Sequence, residues 1–332
     1  MDTIRIALSI WDPSGTYSRH AGAAIVSVLK NTSSKVMFSI LHDETLSDEN
    51  KLKLEETAVK FGGEIEFLDV SSEIKKHSSV DIKRITGAFT PGSVFRLLLP
   101  RVSDMEKVIY LDCDVIVNLD IKELWDIPLD EYFIAAVDDT AGQAIISKPF
   151  LSNSRFRMWM MDMPLEHYFN SGVVMLNLAR IRENFDLFGE GLKFFEHYAR
   201  CTEFPDQDLL NKLFANKSLM VDPRFHVPAR EAMHRDSLDN AIWHFTGEKP
   251  WNIHLGNPAE VLYWQALRES AWDKDFIEYM LEARSPKYIH THTSECLRKI
   301  RHRLWLDIVK SLPVNLLSVI YGEFLYKCRG KK

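Results

Sequence analysis

The chain has 332 residues, 46% hydrophobic and 27% charged, with 14 Gly and 13 Pro, the composition of an ordinary globular protein built as one large domain or two smaller ones. A net charge of −6 argues against a nucleic-acid binder. Cys113, Cys201, Cys296 and Cys328 lie far apart and form no CxxC, which argues against both a structural zinc site and a disulfide framework.

In chain order, strand-like and helix-like segments alternate. IRIALSI (4–10) reads as a strand and HAGAAIVSVLKNT (20–32) as a helix. KVMFSILHD (35–43) is a strand ending in an acid. SDENKLKLEETAVKFGG (47–63) has a Ser start, amphipathic spacing and a Gly stop, the signals of a helix. EIEFLDV (64–70) is again a strand; the helical SVFRLLLPRV, the apolar VIYLDCDVIVNLD (108–120) and the strand FIAAVDD (133–139) follow. This alternation predicts an α/β sheet with short crossovers. The second half predicts helices at 181–202, 206–217 and 260–283, with short strands near LMVD and AIWHF. Pro and aromatic residues are dense at 223–228 and 250–264, which suggests loops over a site.

Charge is distributed unevenly. Residues 298–332 hold nine Lys/Arg against Asp307 and Glu323, leaving the rest of the chain at −13. Trp305, Leu306, Ile308, Val309 and Leu312 make this stretch a basic amphipathic segment, read either as a membrane-surface element or as a helix docked on the acidic body. The division expected is a catalytic domain over 1–284 and a basic helical tail over 285–332. MDTIRIALSI lacks a signal-peptide pattern, and SLPVNLLSVIYG (311–322) is too short for a membrane span of roughly 20 residues. The expectation is a reduced, cytoplasmic protein with room for peripheral contact with an anionic inner membrane face.

The chemistry begins at Asp112 and Asp114. An apolar strand delivers both to the carboxyl edge of the sheet, where ligands collect in α/β folds, and Asp138 and Asp139 reach the same edge. Residues i and i+2 of an extended chain face the same way, so the pair repels itself unless a cation or shared proton intervenes. The spacing alone says little, because 206/208 and 273/275 repeat it. Apolar residues on both sides of the first pair argue against a frayed, solvated strand end. Carboxylates suit Mg²⁺ or Mn²⁺, and a histidine in the set favours Mn²⁺. IWHFTGEKPW (242–251) offers His244, with Gly247 and Lys249 suited to a phosphate; alone it would read as a core histidine in a Trp-rich turn. No P-loop and no GxGxxG occur.

FRLLLP (95–100), VIYLDCDVIV (108–117), LW (124–125), AAVDD (135–139), YFNSGVVMLNL (168–178), PDQDLLN (205–211) and HFTGEKPW (244–251) occur in an order that resembles glycosyltransferase family 8, which includes bacterial lipopolysaccharide galactosyl- and glucosyltransferases and glycogenin. The resemblance covers residue 4 to about 255. It implies a single Rossmann-like nucleotide-sugar-binding domain with a mixed sheet, of the glycosyltransferase A type. It also implies a retaining hexosyltransferase using Mn²⁺ (or Mg²⁺) and a UDP-sugar donor, UDP-glucose or UDP-galactose. The metal ligands implied are Asp112, Asp114 and His244. The donor-binding set is Tyr17, Asp12, Arg96, Cys113, Asn170, Gly247 and Lys249; the catalytic set is Gln207, Asp206 and Asp139. The first strand departs from the family by ending in the longer SIWDPSGTYSRHAG (9–22), where Tyr17 is expected to stack on the base and Asp12 to bind it. The nucleophile stays open among Gln207, Asp139 and Asp206, beside a front-face substitution without one. The acceptor implied is a glycan or lipid-linked molecule of the bacterial cell surface.

Two rival readings remain at this level. LDCDVIV also looks like the start of a haloacid-dehalogenase-type phosphatase with Asp112 as nucleophile, although three strands precede it and HFTGEKPW would then have no role. The other rival is a catalytically inactive transferase fold that serves as a binding module.

Overall fold

The computed structural model describes residues 3–77, 90–139, 154–164, 166–199, 201–247, 249–251, 257–274 and 276. Its strands are β1 (Ile4–Ile10), β2 (Val36–His42), β3 (Glu64–Asp69), β4 (Lys107–Leu111), β5 (Val115–Asn118), β6 (Ile134–Asp138), β7 (Phe169–Asn177), β8 (Ser218–Met220), β9 (Val227–Pro228) and β10 (Ala241–His244). Seven of them form one sheet in the order β3-β2-β1-β4-β7-β6-β8, and a three-stranded sheet has the order β5-β10-β9.

The large sheet is mixed, as expected. β1 pairs in parallel with β2 and β4, and β2 with β3. β7 runs antiparallel between β4 and β6, while β8 is parallel to β6. Two apolar clusters cover its two faces, and the strands feed them alternately. β1 gives Ile6, Leu8 and Ile10 to one cluster and Ala7 to the other; β4 gives Ile109 and Leu111 to the first and Val108 and Tyr110 to the second. Each fully buried Leu or Ile contributes about 1.5–3 kcal/mol, so near-continuous apolar runs are what a two-faced sheet requires.

Helix α1 (Ser18–Lys30) joins β1 to β2, and α2 (Asp48–Lys60) joins β2 to β3. α2 starts where the sequence predicts: the Ser47 side chain accepts from Asn50 N, and Asp48 and Glu49 occupy the first turn. After β3 the chain returns to place β4 on the other side of β1. That reversal opens a crevice at the carboxyl ends of β1 and β4.

Four departures from the sequence reading have physical causes. The apolar stretch 108–120 is two strands in two sheets, because the chain changes partner at Cys113: Asp112 N donates to Gly172 O at 2.8 Å, while Asp114 O accepts from Phe245 N at 3.0 Å. β7 was not expected as a strand, yet it is the longest and lies mid-sheet. The helix expected over 181–202 is divided into Leu178–Asn184 and Leu187–Tyr198, because Phe185 is extended and Asp186 caps the second helix through Gly189 N. The helix expected over 260–283 is interrupted after Glu269, with residues 277–283 outside the described residues; Ser270 turns extended and brings Trp272 onto Gly22 of α1. A Cβ at Gly22 would lie 2.7 Å from that indole, so the close approach requires glycine. The basic tail lies outside the described residues. Among the described residues no helix is long and apolar enough to cross a membrane.

Candidate active site

The site lies where the two sheets meet. Asp112 follows β4, Asp114 precedes β5, and His244 ends β10, which pairs antiparallel with β5 through His244 and Val115. His244 Nε2 stands 3.2 Å from Asp114 Oδ1 and 3.9 Å from Asp112 Oδ2. One ligand atom from each of the three residues falls within 4.8 Å of the others.

Gly172 on β7 makes this convergence possible. A Cβ there would lie 2.2 Å from His244 Cε1 and 2.8 Å from Asp112 Oδ2. The donor set, two carboxylates and one imidazole, has the chemistry of a Mn²⁺ or Mg²⁺ site, so the residues present fit such an ion.

The electrostatics separate the two aspartates. Arg96, 3% exposed, donates from NH2 to Asp112 Oδ1 at 2.6 Å and from NH1 to Ser171 O at 2.6 Å. Its Nε lies 3.2 Å from Asp206 Oδ2, and its guanidinium sits 4.0 Å from the Tyr110 ring centroid. Burial opposes its charge, but Asp112, Tyr110 and Asp206 outweigh burial and hold Arg96 more firmly protonated than usual. Burial would likewise raise the Asp114 carboxyl, yet Lys249 and His244 hold it well below the usual carboxylate range. Lys249 Nζ donates to Asp114 Oδ2 and to Phe245 O.

Asp206 and Gln207 open the helix Pro205–Phe214, both buried. Burial raises the Asp206 carboxyl above its ordinary range even with Arg96 beside it. The Gln207 amide is clamped at both ends: Oε1 accepts from Ser171 N at 3.0 Å and Nε2 donates to the Tyr168 hydroxyl at 3.0 Å. Asn170 Oδ1 accepts from Gly172 N at 2.8 Å, shaping the turn that brings Gly172 under the histidine. Asp139 follows β6 at the same edge, past an irregularity in the β6–β7 pairing, and its N donates to Tyr168 O at 2.7 Å. Gly247 takes φ +91°, a conformation that favours glycine, with open space around its Cβ position.

Asp12 is buried, and its carboxylate accepts from Tyr17 N, Ser18 N, Ser18 Oγ and Asn50 Nδ2 at 2.6–3.1 Å. Those four donors come from its own loop, the start of α1 and α2, so Asp12 shapes the loop that follows β1. Tyr17 meets Trp251 edge-on at 6.3 Å, and Trp251 stacks on His20 at 3.5 Å. Burial raises the Tyr17 phenol, and the neighbouring Cys113, Asp114 and Asp112 raise it further. Cys113 is buried and its thiol donates to Ser9 O at 3.4 Å.

Two participants escaped the sequence reading. His226, buried, places Nε2 2.7 Å from His244 Nδ1. Burial, then the charge of His244, lowers its pKa well below the ordinary histidine range, keeping it neutral. The only signal was its position inside the Pro- and aromatic-rich stretch 223–228. Asp208 is the second: it accepts from Arg157, Tyr168 and Thr202 and anchors the helix carrying Gln207.

An open cleft of about 690 Å³ lies elsewhere, lined by Arg5, Glu66, Met105 and Lys107 among others. Arg5, Met105 and Lys107 lie at the amino ends of β1 and β4, with Glu66 on β3, away from the Asp112–Asp114 edge.

The model of Glycosyl transferase family 8 matches residues 12–254. General stress protein A of Bacillus subtilis is 27% identical over 278 residues, 77% of this chain and 91% of that protein. Lipopolysaccharide 1,3-galactosyltransferase of Salmonella typhimurium is 27% identical over 263 residues, 76% of this chain and 74% of that protein. The solved galactosyltransferase LgtC, in complex with donor and acceptor sugar analogs, has a TM-score of 0.67 at 23% identity, covering 81% of this chain and 96% of that one; at this identity the likeness shows the fold alone. The chain belongs to glycosyl transferase family 8.

Proposed function

We propose that the protein is a retaining, metal-dependent hexosyltransferase. It takes glucose or galactose from UDP and delivers it to a glycan or lipid-linked acceptor of the bacterial cell surface, working at the cytoplasmic side. The convergence of Asp112, Asp114 and His244 over a glycine that leaves room for nothing larger carries the reading. Mn²⁺ is the ion preferred by that donor set, with Mg²⁺ second. When bound there, a divalent ion supplies Lewis-acid stabilisation of a departing diphosphate.

The chain's own residues have separate duties. Lys249 carries a positive charge on the flank of Asp114 and offers it to a diphosphate, with Gly247 leaving the backbone open for close approach. Arg96 holds Asp112 and the start of the Gln207 helix in one rigid unit. The clamp on Gln207 fixes which amide atom faces which neighbour, so its oxygen is presented in one orientation. Asp206, with its raised pKa, and Asp139 are the acids near the sugar and acceptor. Tyr17 and the loop shaped by Asp12 border the base, and Cys113 and Asn170 belong to the donor-side framework. A phosphatase use of Asp112 is disfavoured by the family and by Arg96 on its carboxylate.

UDP release from UDP-glucose and UDP-galactose, with Mn²⁺ and with EDTA, tests the reading. Turnover with at least one donor that EDTA abolishes is expected. Donor-independent phosphate release, or turnover indifferent to EDTA, would overturn it.

A further inference from the structure

We propose that His226 is a positioning residue for the metal site, resting on the metal reading above: its Nε2 accepts from Nδ1 of His244 and so holds the tautomer whose Nε2 is free for a cation. His244 has two ring nitrogens with different neighbours. Nε2 faces Asp114 and Asp112, whereas Nδ1 faces only His226 Nε2 at 2.7 Å among the described residues. A neutral imidazole offers a cation a lone pair on one nitrogen only when its proton is on the other.

For Nε2 to turn a lone pair toward a cation, the ring proton of His244 must sit on Nδ1, and His226 Nε2 is the atom placed to accept it. A partner unable to accept there would leave the proton, not the lone pair, facing the carboxylates.

The surroundings make the partner hard to replace. His226 and His244 are 4% and 5% exposed, so bulk water cannot stand in for the bond. The rings meet at 77° with centroids 5.0 Å apart, an edgewise meeting rather than a stack. β9 begins immediately after His226 and pairs with β10 through His244 and Pro228, so backbone pairing sets their spacing. Gly172 lies against the same ring: a Cβ there would come 2.2 Å from His244 Cε1 and 2.7 Å from Nδ1. Partners on histidine ligands typically affect metal affinity by about 10–100-fold.

The test is Mn²⁺ titration of the full chain, followed by electron paramagnetic resonance of the free ion, for wild type, His226→Gln, His226→Leu and His226→Phe, with thermal unfolding measured for each. Gln can donate and accept; Leu and Phe can do neither, and either one suffices should the other fail to fold. The expected result is Mn²⁺ affinity about 10–100-fold weaker with the apolar variants and close to wild type with Gln, at matched unfolding temperatures. If wild type binds no Mn²⁺, the metal reading itself falls. If wild type binds and the apolar variants bind equally, the inference is overturned while the metal reading stands. Equal losses with Gln and Leu would also overturn it, assigning the effect to ring packing.

Discussion

Asp208 and the Asp112/Asp114 pair belong to Asp-x-Asp motifs of the same spacing and end in opposite roles. Asp208, fully buried, accepts from Arg157 at 2.6 and 2.8 Å, from the Tyr168 and Thr202 hydroxyls, and from Glu203 N and Phe204 N. It is saturated, and nothing further can bind it. Asp112 and Asp114 share an unbalanced neighbourhood instead. Arg96 takes one oxygen of Asp112, while the other has only the edge of His244, 3.9 Å away, among the described residues. A carboxylate whose donors are complete is framework, and one left short beside a second carboxylate is a cation site. Spacing alone cannot separate the two cases, because the decisive donors lie far away in the chain.

The largest effect that would break this contrast is at the open pair. Asp114→Asn removes the charge opposite Lys249 and His244, and should lower UDP release by on the order of 10²–10³-fold. The unfolding temperature should change little, since Asn still fills the space and accepts from one neighbour. A steady-state assay at saturating Mn²⁺ with a thermal melt checks both halves. Activity near wild type would mean that Asp114 is framework too.

The saturated aspartate should fail the other way. Asp208→Asn leaves Arg157, 1% exposed, with Glu203 at 3.5 Å as its remaining carboxylate partner and without its closest counter-charge. Breaking a buried pair of this kind costs about 3–5 kcal/mol. Chemical denaturation should show that loss, while Mn²⁺ affinity stays at the wild-type level. A variant that keeps its stability but loses Mn²⁺ would reverse the assignment of the two motifs.

This contrast also marks how far the sequence could be read. β1, β2, β4 and β6 were legible because two-faced burial imposes apolar runs that no other local structure explains; the edge strand β3 is only half-buried. β7 was not, because its start, Phe169-Asn170-Ser171-Gly172, is polar and small for reasons at the site rather than in the strand. Asn170 turns the backbone, Ser171 N holds Gln207, and Gly172 clears space for His244. Asp112, Asp114 and His244 were legible because their residue types announce a cation. Their partners were not: Arg96 meets Asp112 from 16 residues away, and His226 meets His244 across neighbouring strands. Asp12 shows a similar limit, since nothing in the sequence around it announces the donors of Tyr17, Ser18 and Asn50 that surround it.

Gly172→Ala tests the geometry at the open pair with less violence. The added methyl must displace His244 or Asp112, an overpacking that costs about 1–3 kcal/mol. The fold should survive with a lower unfolding temperature, and Mn²⁺ affinity should fall with it. Gly172→Ala with unchanged affinity would show that the ring and carboxylate can give way without loss, and that the convergence is looser than the contacts indicate.

The smallest effect concerns Asp206, which shares a motif with Asp208 but meets Arg96 of the open pair. Burial raises its pKa above 3.8 despite Arg96, so the folded protein holds this proton where the unfolded chain has released it. The folded state then binds more protons, and stability falls as pH rises from 3.8 through the raised value. Asp206→Asn carries no such proton and should flatten that part of the stability-against-pH curve. At neutral pH the variant relieves the repulsion between Asp206 and Asp112, leaving Arg96 with Asp112 as its one carboxylate partner. A slope that persists in Asp206→Asn would assign the effect to another buried acid, and would mean that Arg96 neutralises Asp206 as fully as Arg157 neutralises Asp208.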